Sequence, residues 1–433
     1  MSIVVKSWSL STEQVHQIND KLVIKIPNTK YNKFAPPQRI YPFEVKDNEN
    51  VHLPFAYAVQ ELQLERRPRN NFSQIDISFI GTLRDEQIKV KNEALTSLNK
   101  NGSCLISLYT GGGKTFTSIN IACQIKLRTL IVVNKIVLIK QWKDSILKVC
   151  PSARIQTLQS TSVFEDCDFY IINAINVQKK GTTFFKDIGT LILDECHLIM
   201  AEQLSKCMLN IYPRYLIGLS ATPYREDGLD PLLNFYFGEN KIIRLLRREH
   251  IVYKVNTGFT PEVTLTKDGK INWSSLLDSI CNNNDRNEII INIVKKFSDR
   301  NILILSKRVE QSKYLFERLQ EENEFVSSLI GKQQEFDREA RILVGTTSKC
   351  GTGFDFPKLD CLILATDIEQ YYIQALGRVL RRPDVKPIVF DLIDNNKILI
   401  NHFKSRQKVY TEVGGNILDF NRLFPEVFIT PKK

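Results

Sequence analysis

The sequence predicts an α/β protein with two domains in tandem, each a parallel sheet flanked by helices, and a small β-rich domain in front of them. From residue 80 onward, short apolar strands alternate with helical patterns, which is typical of parallel sheets. The run at 130–133 is β-branched without polar alternation, as expected of a strand buried on both faces. A chain of 433 residues is also too long for one ordinary core.

The composition is that of an ordinary globular protein, with 43% hydrophobic and 25% charged residues. The net charge of +11 favours polyanionic partners. Nine cysteines are scattered without a C-x-x-C pair, so we expect reduced core thiols and neither disulfides nor zinc ligands. No apolar run approaches the length of a membrane span and the first residues lack a signal-peptide core, which predicts a soluble intracellular protein.

Residues 1–79 combine short β-like runs with frequent prolines, which suits a small accessory domain. A basic cluster lies at Arg66, Arg67 and Arg69. It is compatible with a DNA-gripping surface and equally with a solvated linker face. The sequence leaves both interpretations open.

The central motif is an apolar strand at 104–108 that leads into three glycines and then Lys-Thr. Glycines allow backbone N–H groups to surround an anion at the start of a helix, Lys114 can reach terminal phosphates, and Thr115 can bind Mg²⁺. Leu108 occupies the first glycine position of the general phosphate-binding pattern, and a plain glycine-rich turn is the alternative. The predicted phosphate-binding residues are Thr110, Gly111, Gly112, Gly113, Lys114 and Thr115.

Gln87 lies twenty-seven residues before Lys114, at the start of a predicted helix. Its amide offers one donor and one acceptor group, as the edge of adenine requires. We therefore predict a nucleotide contact, with a surface glutamine as the alternative.

The strand at 130–133 is followed by Lys135 and then by a predicted helix near 140–149, which contains Gln141 and Trp142. Open α/β sheets bind their ligands at this end of a strand, so Lys135 and Gln141 are candidate nucleic-acid contacts. Trp142 is expected to pack in the core and not to stack on a base.

Asp194 and Glu195 follow directly on the apolar strand that ends at Leu193. Adjacent carboxylates repel each other unless a cation is present, and Mg²⁺ would supply it. Asp194 would hold the metal, and Glu195 would orient and deprotonate the attacking water. The alternative is an acidic turn without chemistry.

A second α/β pattern begins at residue 286, with strands at 302–305, 342–345 and 361–365. Lys307 and Thr346 follow or end such strands and are candidate contacts for a nucleic-acid backbone. Farther on, a predicted helix carries Gln374, Arg378 and Arg381, whose two arginines could meet the charge developing on a γ-phosphate. A solvated or phosphate-binding face is the alternative. The stripe of His402, Arg406 and Tyr410 predicts helix packing.

Several of these motifs together resemble those of superfamily 2 helicases. They are Lys114-Thr115, Asp194-Glu195-Cys196-His197, Ser220-Ala221-Thr222, Gly353 with Asp355, and the Q-x-x-G-R-x-x-R run that begins at Gln374. The resemblance implies two RecA-like domains with an ATP·Mg²⁺ site in the cleft between them. It implies catalytic roles for Lys114, Asp194, Glu195, Gln374, Arg378 and Arg381, nucleotide contacts for Gly353 and Asp355, and coupling roles for His197, Ser220 and Thr222.

The predicted boundaries are 1–79 for the accessory domain, 80–240 for the first RecA-like domain, 241–285 for a linker and the entry to the second domain, 286–410 for the second RecA-like domain and 411–433 for a tail. Arg225 begins an Arg-Glu-Asp run that resembles the RED element of XPB-type DNA helicases. Ala375 replaces an arginine that many family members carry.

Finer features resemble the DNA-acting branch that contains XPB, UvsW and the helicases of large cytoplasmic DNA viruses, including the poxvirus transcript-release factor. This resemblance implies a monomer that translocates 3′ to 5′, acting with RNA polymerase or replication proteins in transcription termination, replication or recombination. For a viral protein, it implies the host cytoplasm or the virion. The alternatives are a duplex translocase of the restriction type, an RNA helicase, or an inactive nucleic-acid-binding scaffold.

Overall fold

The computed structural model describes residues 1–26, 38–47, 49–109, 111–200, 206, 208–221, 229–266, 269–333, 335–350, 356–368 and 372–428. The chain divides into two compact units. The first comprises Met1–Leu108 and Gly112–Arg244, and the second comprises Leu245–Lys433, with which Tyr109–Gly111 are grouped. Each unit is built around one parallel sheet of seven strands.

The first unit opens with a small antiparallel sheet in the order β1-β5-β4 and a separate β2-β3 hairpin. Its elements are β1 (Ser2–Lys6), α1 (Thr12–Lys21), β2 (Ile24–Ile26), β3 (Gln38–Ile40), β4 (Glu44–Lys46) and β5 (Asn50–Pro54). The predicted β-rich character is confirmed. Met1, Leu53 and Phe55 are fully buried in the same apolar cluster as Leu105 and Leu130, so this segment shares its core with the parallel sheet behind it.

The parallel sheet of the first unit has the order β12-β6-β11-β10-β7-β9-β8. Apolar clusters cover both of its faces, which explains why its strands lack polar alternation. Its elements are α2 (Asp85–Asn101), β6 (Ser103–Leu108), α3 (Lys114–Ile125), β7 (Thr129–Val133), α4 (Ile136–Val149), β8 (Ile155–Leu158), β9 (Phe169–Asn173), α5 (Ala174–Val177), β10 (Thr190–Leu193), α6 (Cys196–Ile199), β11 (Tyr215–Ser220), α7 (Asp230–Phe237) and β12 (Lys241–Arg244).

The second unit repeats the plan with the order β15-β16-β14-β17-β18-β13-β19. Its elements are β13 (His250–Asn256), α8 (Trp273–Cys281), α9 (Asn284–Lys296), β14 (Ile302–Ser306), α10 (Val309–Glu321), β15 (Val326–Leu329), β16 (Ile342–Thr346), α11 (Thr347–Cys350), β17 (Cys361–Leu364), α12 (Tyr372–Val379), β18 (Ile388–Ile393), α13 (Lys397–Glu412), β19 (Gly415–Asp419) and α14 (Phe420–Leu423). Two parallel sheets flanked by helices confirm the predicted fold class.

The region 241–285, predicted as a linker, contains ordered elements of both sheets. Strand β12 pairs with β6 in the first unit, whereas β13 pairs with β18 and β19 in the second. The chain therefore passes from one sheet to the other between Arg244 and His250. Charged residues lie in and around these strands, so the sequence does not show the apolar pattern by which a strand is recognised.

The basic cluster at residues 66–69 has a structural role that neither sequence interpretation includes. Arg66 donates to the carbonyl oxygens of Leu98 and Asn99 at the end of α2, at 3.0 Å each. Arg69 donates to the carbonyl of Ile125 at the end of α3. Cations at helix C-termini satisfy free carbonyl groups and favour the helix dipole, so these arginines fasten the segment to the first unit.

Two further sequence expectations concern the cysteines and membrane spans. In the part of the chain that the structure describes, eight cysteines are buried free thiols, as predicted. Among the described helices, none combines the length and apolarity that a membrane span requires.

A buried ion-pair network holds α13 against the second sheet. Arg406 is 3% exposed and donates to both carboxylate oxygens of Asp391 at 2.8 Å and to Asp367 at 2.7 Å. Tyr410 donates to Asp391 at 3.0 Å, and His402 contacts Asp367 at 2.6 Å. The stripe of His402, Arg406 and Tyr410 therefore packs against the sheet as predicted, and it does so through ion pairs and hydrogen bonds as well as through apolar contacts.

We predict that Arg406→Met lowers the free energy of unfolding of the second unit by about 3–5 kcal/mol, because two buried carboxylates lose their counter-charge. Urea denaturation followed by circular dichroism measures this. Lys408→Met on the exposed side of the same helix is the control and should leave the midpoint unchanged. Equal midpoints for both variants would contradict the assigned role of the network.

Candidate nucleotide site

The glycine loop between β6 and α3 has the backbone of an anion site. Gly111 and Gly113 both have φ of +85°, a conformation that side chains disfavour. A Cβ placed on Gly113 would lie 2.2 Å from the Gln87 amide nitrogen, so the loop needs glycine at this position. Gly112 is buried between them, and Thr110 lies outside the described residues. The loop leads directly into α3, whose first N–H groups have no partner within the helix.

Gln87 lies against this loop. Its amide nitrogen donates to the Gly113 carbonyl at 3.3 Å and to the Thr117 hydroxyl at 3.2 Å. Its amide oxygen accepts from the backbone N–H of Arg84 at 3.0 Å and from the Arg84 side chain at 3.2 Å. Both the amide nitrogen and the amide oxygen already form hydrogen bonds within the protein. A contact with adenine would therefore have to replace some of these bonds. The adenine role stays a prediction.

Lys114 and Thr115 occupy the first turn of α3, and both are partly buried. The Lys114 ammonium donates to the carbonyl oxygen of Leu108 at 3.0 Å, at the end of the preceding strand. The lysine ammonium is thus held by a hydrogen bond to a neutral carbonyl oxygen, which is a weak acceptor for a cation. A phosphate oxygen would be a stronger acceptor for the same cation.

Asp194 is fixed directly after β10, in the middle of the sheet. Its backbone N–H donates to Val132 at 2.9 Å, and its side chain is 9% exposed. The Glu195 backbone N–H donates to Oδ1 at 3.0 Å, and the Trp142 indole N–H donates to Oδ2 at 2.8 Å. Burial and the charge of Glu195 raise the pKa of Asp194 to about 6, although Trp142 and Lys114 act in the opposite direction. A cation at this carboxylate would relieve the repulsion.

Glu195 has the left-handed backbone values φ 48° and ψ 50°, which strain a residue with a side chain. Its Oε2 atom is buried and has no hydrogen-bond partner among the described residues. The ring nitrogen His197 Nδ1 lies 3.6 Å from this oxygen. A strained backbone and a carboxylate oxygen without a hydrogen bond to the described residues fit a group that accepts a proton from a bound water.

The donor set fits a magnesium ion held partly by phosphate. In the described ranges, no cluster of three or more His, Cys, Asp or Glu side chains could hold a metal without help. Mg²⁺ usually keeps several waters and binds through one or two protein oxygens together with substrate phosphates. Asp194 and Thr115 are the residues that could contribute those oxygens.

The predicted coupling residues His197 and Ser220 are in contact. His197 Nδ1 and Ser220 Oγ lie 2.8 Å apart, and both side chains are buried. The contact joins α6, directly after the acidic pair, to the end of β11. Thr222 and Arg225 lie outside the described residues, so their roles stay predictions.

Lys135 occupies the N-cap position of α4, shortly after β7, and Gln141 lies exposed on that helix. Because β7 pairs with β10, Lys135 lies at the same edge of the sheet as Asp194. Their predicted contact with nucleic acid is not tested by this geometry.

In the second unit, Gln374 and Arg378 are buried on α12, at 3% and 5% exposure. Arg381 lies beyond the helix, which ends at Val379, so the prediction that one helix carries both arginines is wrong. The physical reason is Pro383, since the residue before a proline avoids helical geometry and helices end ahead of it.

Lys307 and Thr346 lie together at one end of the second sheet, because Ser306 pairs with Thr346 in the parallel register. The Lys307 backbone N–H donates to the Thr366 hydroxyl at 2.9 Å. Gly353 and Asp355 are outside the described residues.

The sequence analysis missed the contact between Trp142 and Asp194. It predicted a packing role, and Trp142 is indeed buried at 2% exposure. A usable signal was present, since a buried indole N–H needs an acceptor and Trp142 follows the strand next to β10.

Comparisons with known proteins agree with this geometry. Residues 80–225 match the family model described as type III restriction enzyme, res subunit. The protein named "Putative helicase 161L" from Invertebrate iridescent virus 6 is 41% identical over 447 residues, covering 97% of this chain and 100% of the relative. The chain belongs to the superfamily 2 helicases. As a member, it is an ATP-dependent enzyme that acts as a nucleic-acid motor.

Two more distant helicases extend the comparison. A protein of Acanthamoeba polyphaga mimivirus, named as an ATP-dependent RNA helicase with putative status, is 27% identical over 451 residues, 96% of this chain and 85% of the relative. The structure of an S. cerevisiae Dbp5 variant bound to RNA and ADP BeF3 aligns with a TM-score of 0.56 and 14% identity, covering 79% of this chain and 93% of that one. At this identity the match shows the fold alone.

We predict that Gly113→Ala lowers the affinity of this helicase for ADP about tenfold or more. The new Cβ must displace the Gln87 amide, and left-handed backbone strain adds about 1–3 kcal/mol. Titration with a fluorescent ADP analogue measures the affinity. Gly181→Ala is the matched control, because a Cβ there meets no atom within 4 Å and the backbone φ is −72°. Unchanged affinity in the Gly113 variant would contradict the loop assignment.

Proposed function

We propose that this helicase hydrolyses ATP with Mg²⁺ and uses the energy to move 3′ to 5′ along DNA. The observation that carries the hydrolytic part is the buried Asp194 next to the partly buried Glu195, close to Lys114 and the glycine loop. The net charge of +11 supports a polyanionic track. DNA is proposed as the track because the segment that contains Lys135 and Gln141 resembles the DNA-acting XPB/UvsW branch.

The residues of the first unit would have the following roles in binding and hydrolysis. The loop N–H groups bind phosphate, and Lys114 exchanges the Leu108 carbonyl for a phosphate oxygen. Thr115 and Asp194 would hold Mg²⁺, and the ion would supply positive charge close to the phosphate oxygens. Glu195 orients the attacking water and accepts its proton through the buried Oε2.

The second unit would complete the site. Gln374, Arg378 and Arg381 meet the charge that develops on the γ-phosphate, and Gly353 and Asp355 contact the nucleotide. Hydrolysis would then accompany closure of the two units, and phosphate release would reopen them.

Movement along the track would be linked to the nucleotide through the His197–Ser220 bond, together with Thr222. Residues on both units would grip the nucleic acid; these are Lys135, Gln141, Arg225, Lys307 and Thr346. We further propose a monomer acting in viral transcript release, replication or recombination, in the host cytoplasm or virion, with RNA polymerase or replication proteins as partners. The viral origin of the relatives supports this setting.

Two alternatives have specific support. The name of the mimivirus relative supports RNA as the track. The description of the matching family model supports a duplex translocase that does not separate strands. Stimulation of the ATPase by RNA alone would favour the first, and displacement of a third strand from a triplex without duplex unwinding would favour the second.

We predict that ATP hydrolysis rises at least tenfold on addition of DNA and that Lys114→Ala abolishes it, since each group placed around a transferred phosphate contributes strongly to its rate. The assay compares single-stranded DNA, duplex DNA and RNA of equal length. Arg378→Ala should keep ADP binding but reduce turnover by about 10³ or more. Lys100→Ala, an exposed lysine at the end of α2, is the matched control.

An ATPase rate that no nucleic acid changes would refute the motor. Retained biological function in Lys114→Ala would identify the protein as a binding scaffold. For direction, duplexes with a single 3′ or 5′ tail separate the two polarities, and unwinding from the 5′ tail only would contradict the proposed direction.

A further inference from the structure

Trp142 donates its indole N–H to the carboxylate that the proposed function assigns to the metal. The distance between Trp142 Nε1 and Asp194 Oδ2 is 2.8 Å. Trp142 lies on the buried face of α4 with Leu138 and Ile146, four residues away in each direction. Its 2% exposure leaves the bond shielded from water.

We propose that Trp142 is a positioning residue for the divalent ion, acting through Asp194. This inference rests on the proposed function, because it concerns the same ATP·Mg²⁺ site. The packing interpretation of the sequence is incomplete, since packing alone needs the shape of the ring and not its N–H group.

Two donors together determine the orientation of the Asp194 carboxylate. The Glu195 N–H holds Oδ1 at 3.0 Å and the Trp142 N–H holds Oδ2. With both oxygens held, rotation about the Cβ–Cγ bond is restricted. Such outer contacts orient metal ligands and affect metal affinity by about 10–100-fold.

The chemical nature of the donor suits this role. An indole is neutral, so it fixes the oxygen and leaves the negative charge available to a cation. A lysine or arginine in the same place would form an ion pair and compete with Mg²⁺ for the carboxylate. Lys114, the nearby cation that influences the Asp194 carboxyl, instead donates to the Leu108 carbonyl.

The test replaces the indole N–H while keeping the ring. Trp8 and Trp273, which are 68% and 39% exposed, are first changed to phenylalanine, so that Trp142 is the only tryptophan. The protein is then produced in a tryptophan auxotroph with either tryptophan or 3-benzothienylalanine, in which sulfur replaces the N–H. The tryptophan form is the matched control.

ADP binding is measured against the Mg²⁺ concentration for both forms. We expect the half-saturating Mg²⁺ concentration to rise about tenfold in the benzothienyl form, with ADP affinity in the absence of Mg²⁺ unchanged. Equal Mg²⁺ dependence of the two forms would overturn the inference alone. If the tryptophan form shows no effect of Mg²⁺ on ADP binding, the proposed function fails and the inference fails with it.

An NMR measurement detects the hydrogen bond between Trp142 and Asp194 directly and does not depend on enzyme activity. In the ¹⁵N-labelled single-tryptophan protein, the indole proton should move upfield in Asp194→Ala and should shift when Mg²⁺ and ADP are added to the parent. An indole resonance that is the same with and without the Asp194 carboxylate would overturn the proposal, even if the Mg²⁺ titration differed.

Discussion

The site depends on one electrostatic constraint, a buried carboxylate, Asp194, next to a partly buried one, Glu195, at the end of a central strand. Asp194 lies at 9% exposure next to Glu195, and both the lost hydration and the neighbouring charge raise the pKa of Asp194 to about 6. Such an arrangement is costly unless a cation shares the site. The lysine of the glycine loop lies close enough to act on this carboxylate, and the proposed magnesium ion would be a second cation there.

The parallel sheet explains why these groups meet although they are far apart in the sequence. The glycine loop follows β6, the acidic pair follows β10, and Lys135 follows β7, and all three strands run in the same direction in one sheet. Their carboxyl ends therefore lie at one edge, where open α/β sheets bind ligands. The same rule places Lys307 and Thr346 at one edge of the second sheet.

Much of this could be predicted from local patterns. Apolar β-branched runs identified the strands, and the glycines followed by Lys114 identified the loop that precedes α3. The metal-binding role of the acidic pair stays a prediction. Contacts between distant residues could not be predicted in this way. The sequence carries no local sign that Arg66 holds the end of α2 or that Arg406 lies between Asp367 and Asp391. For Trp142, the need of a buried indole N–H for an acceptor can be read from the sequence, but the identity of Asp194 as that acceptor cannot. The early end of α12 does have a local sign, because Pro383 follows the helix closely.

The central claim is that the glycine loop and Asp194 bind a nucleotide and its metal as one site. Calorimetric titration of ADP with and without Mg²⁺, on the parent protein and on Asp194→Asn, tests it most directly. The account predicts that Mg²⁺ tightens ADP binding to the parent by about tenfold or more and that this gain disappears in Asp194→Asn, while binding without Mg²⁺ is retained. An equal gain from Mg²⁺ in both proteins would contradict it.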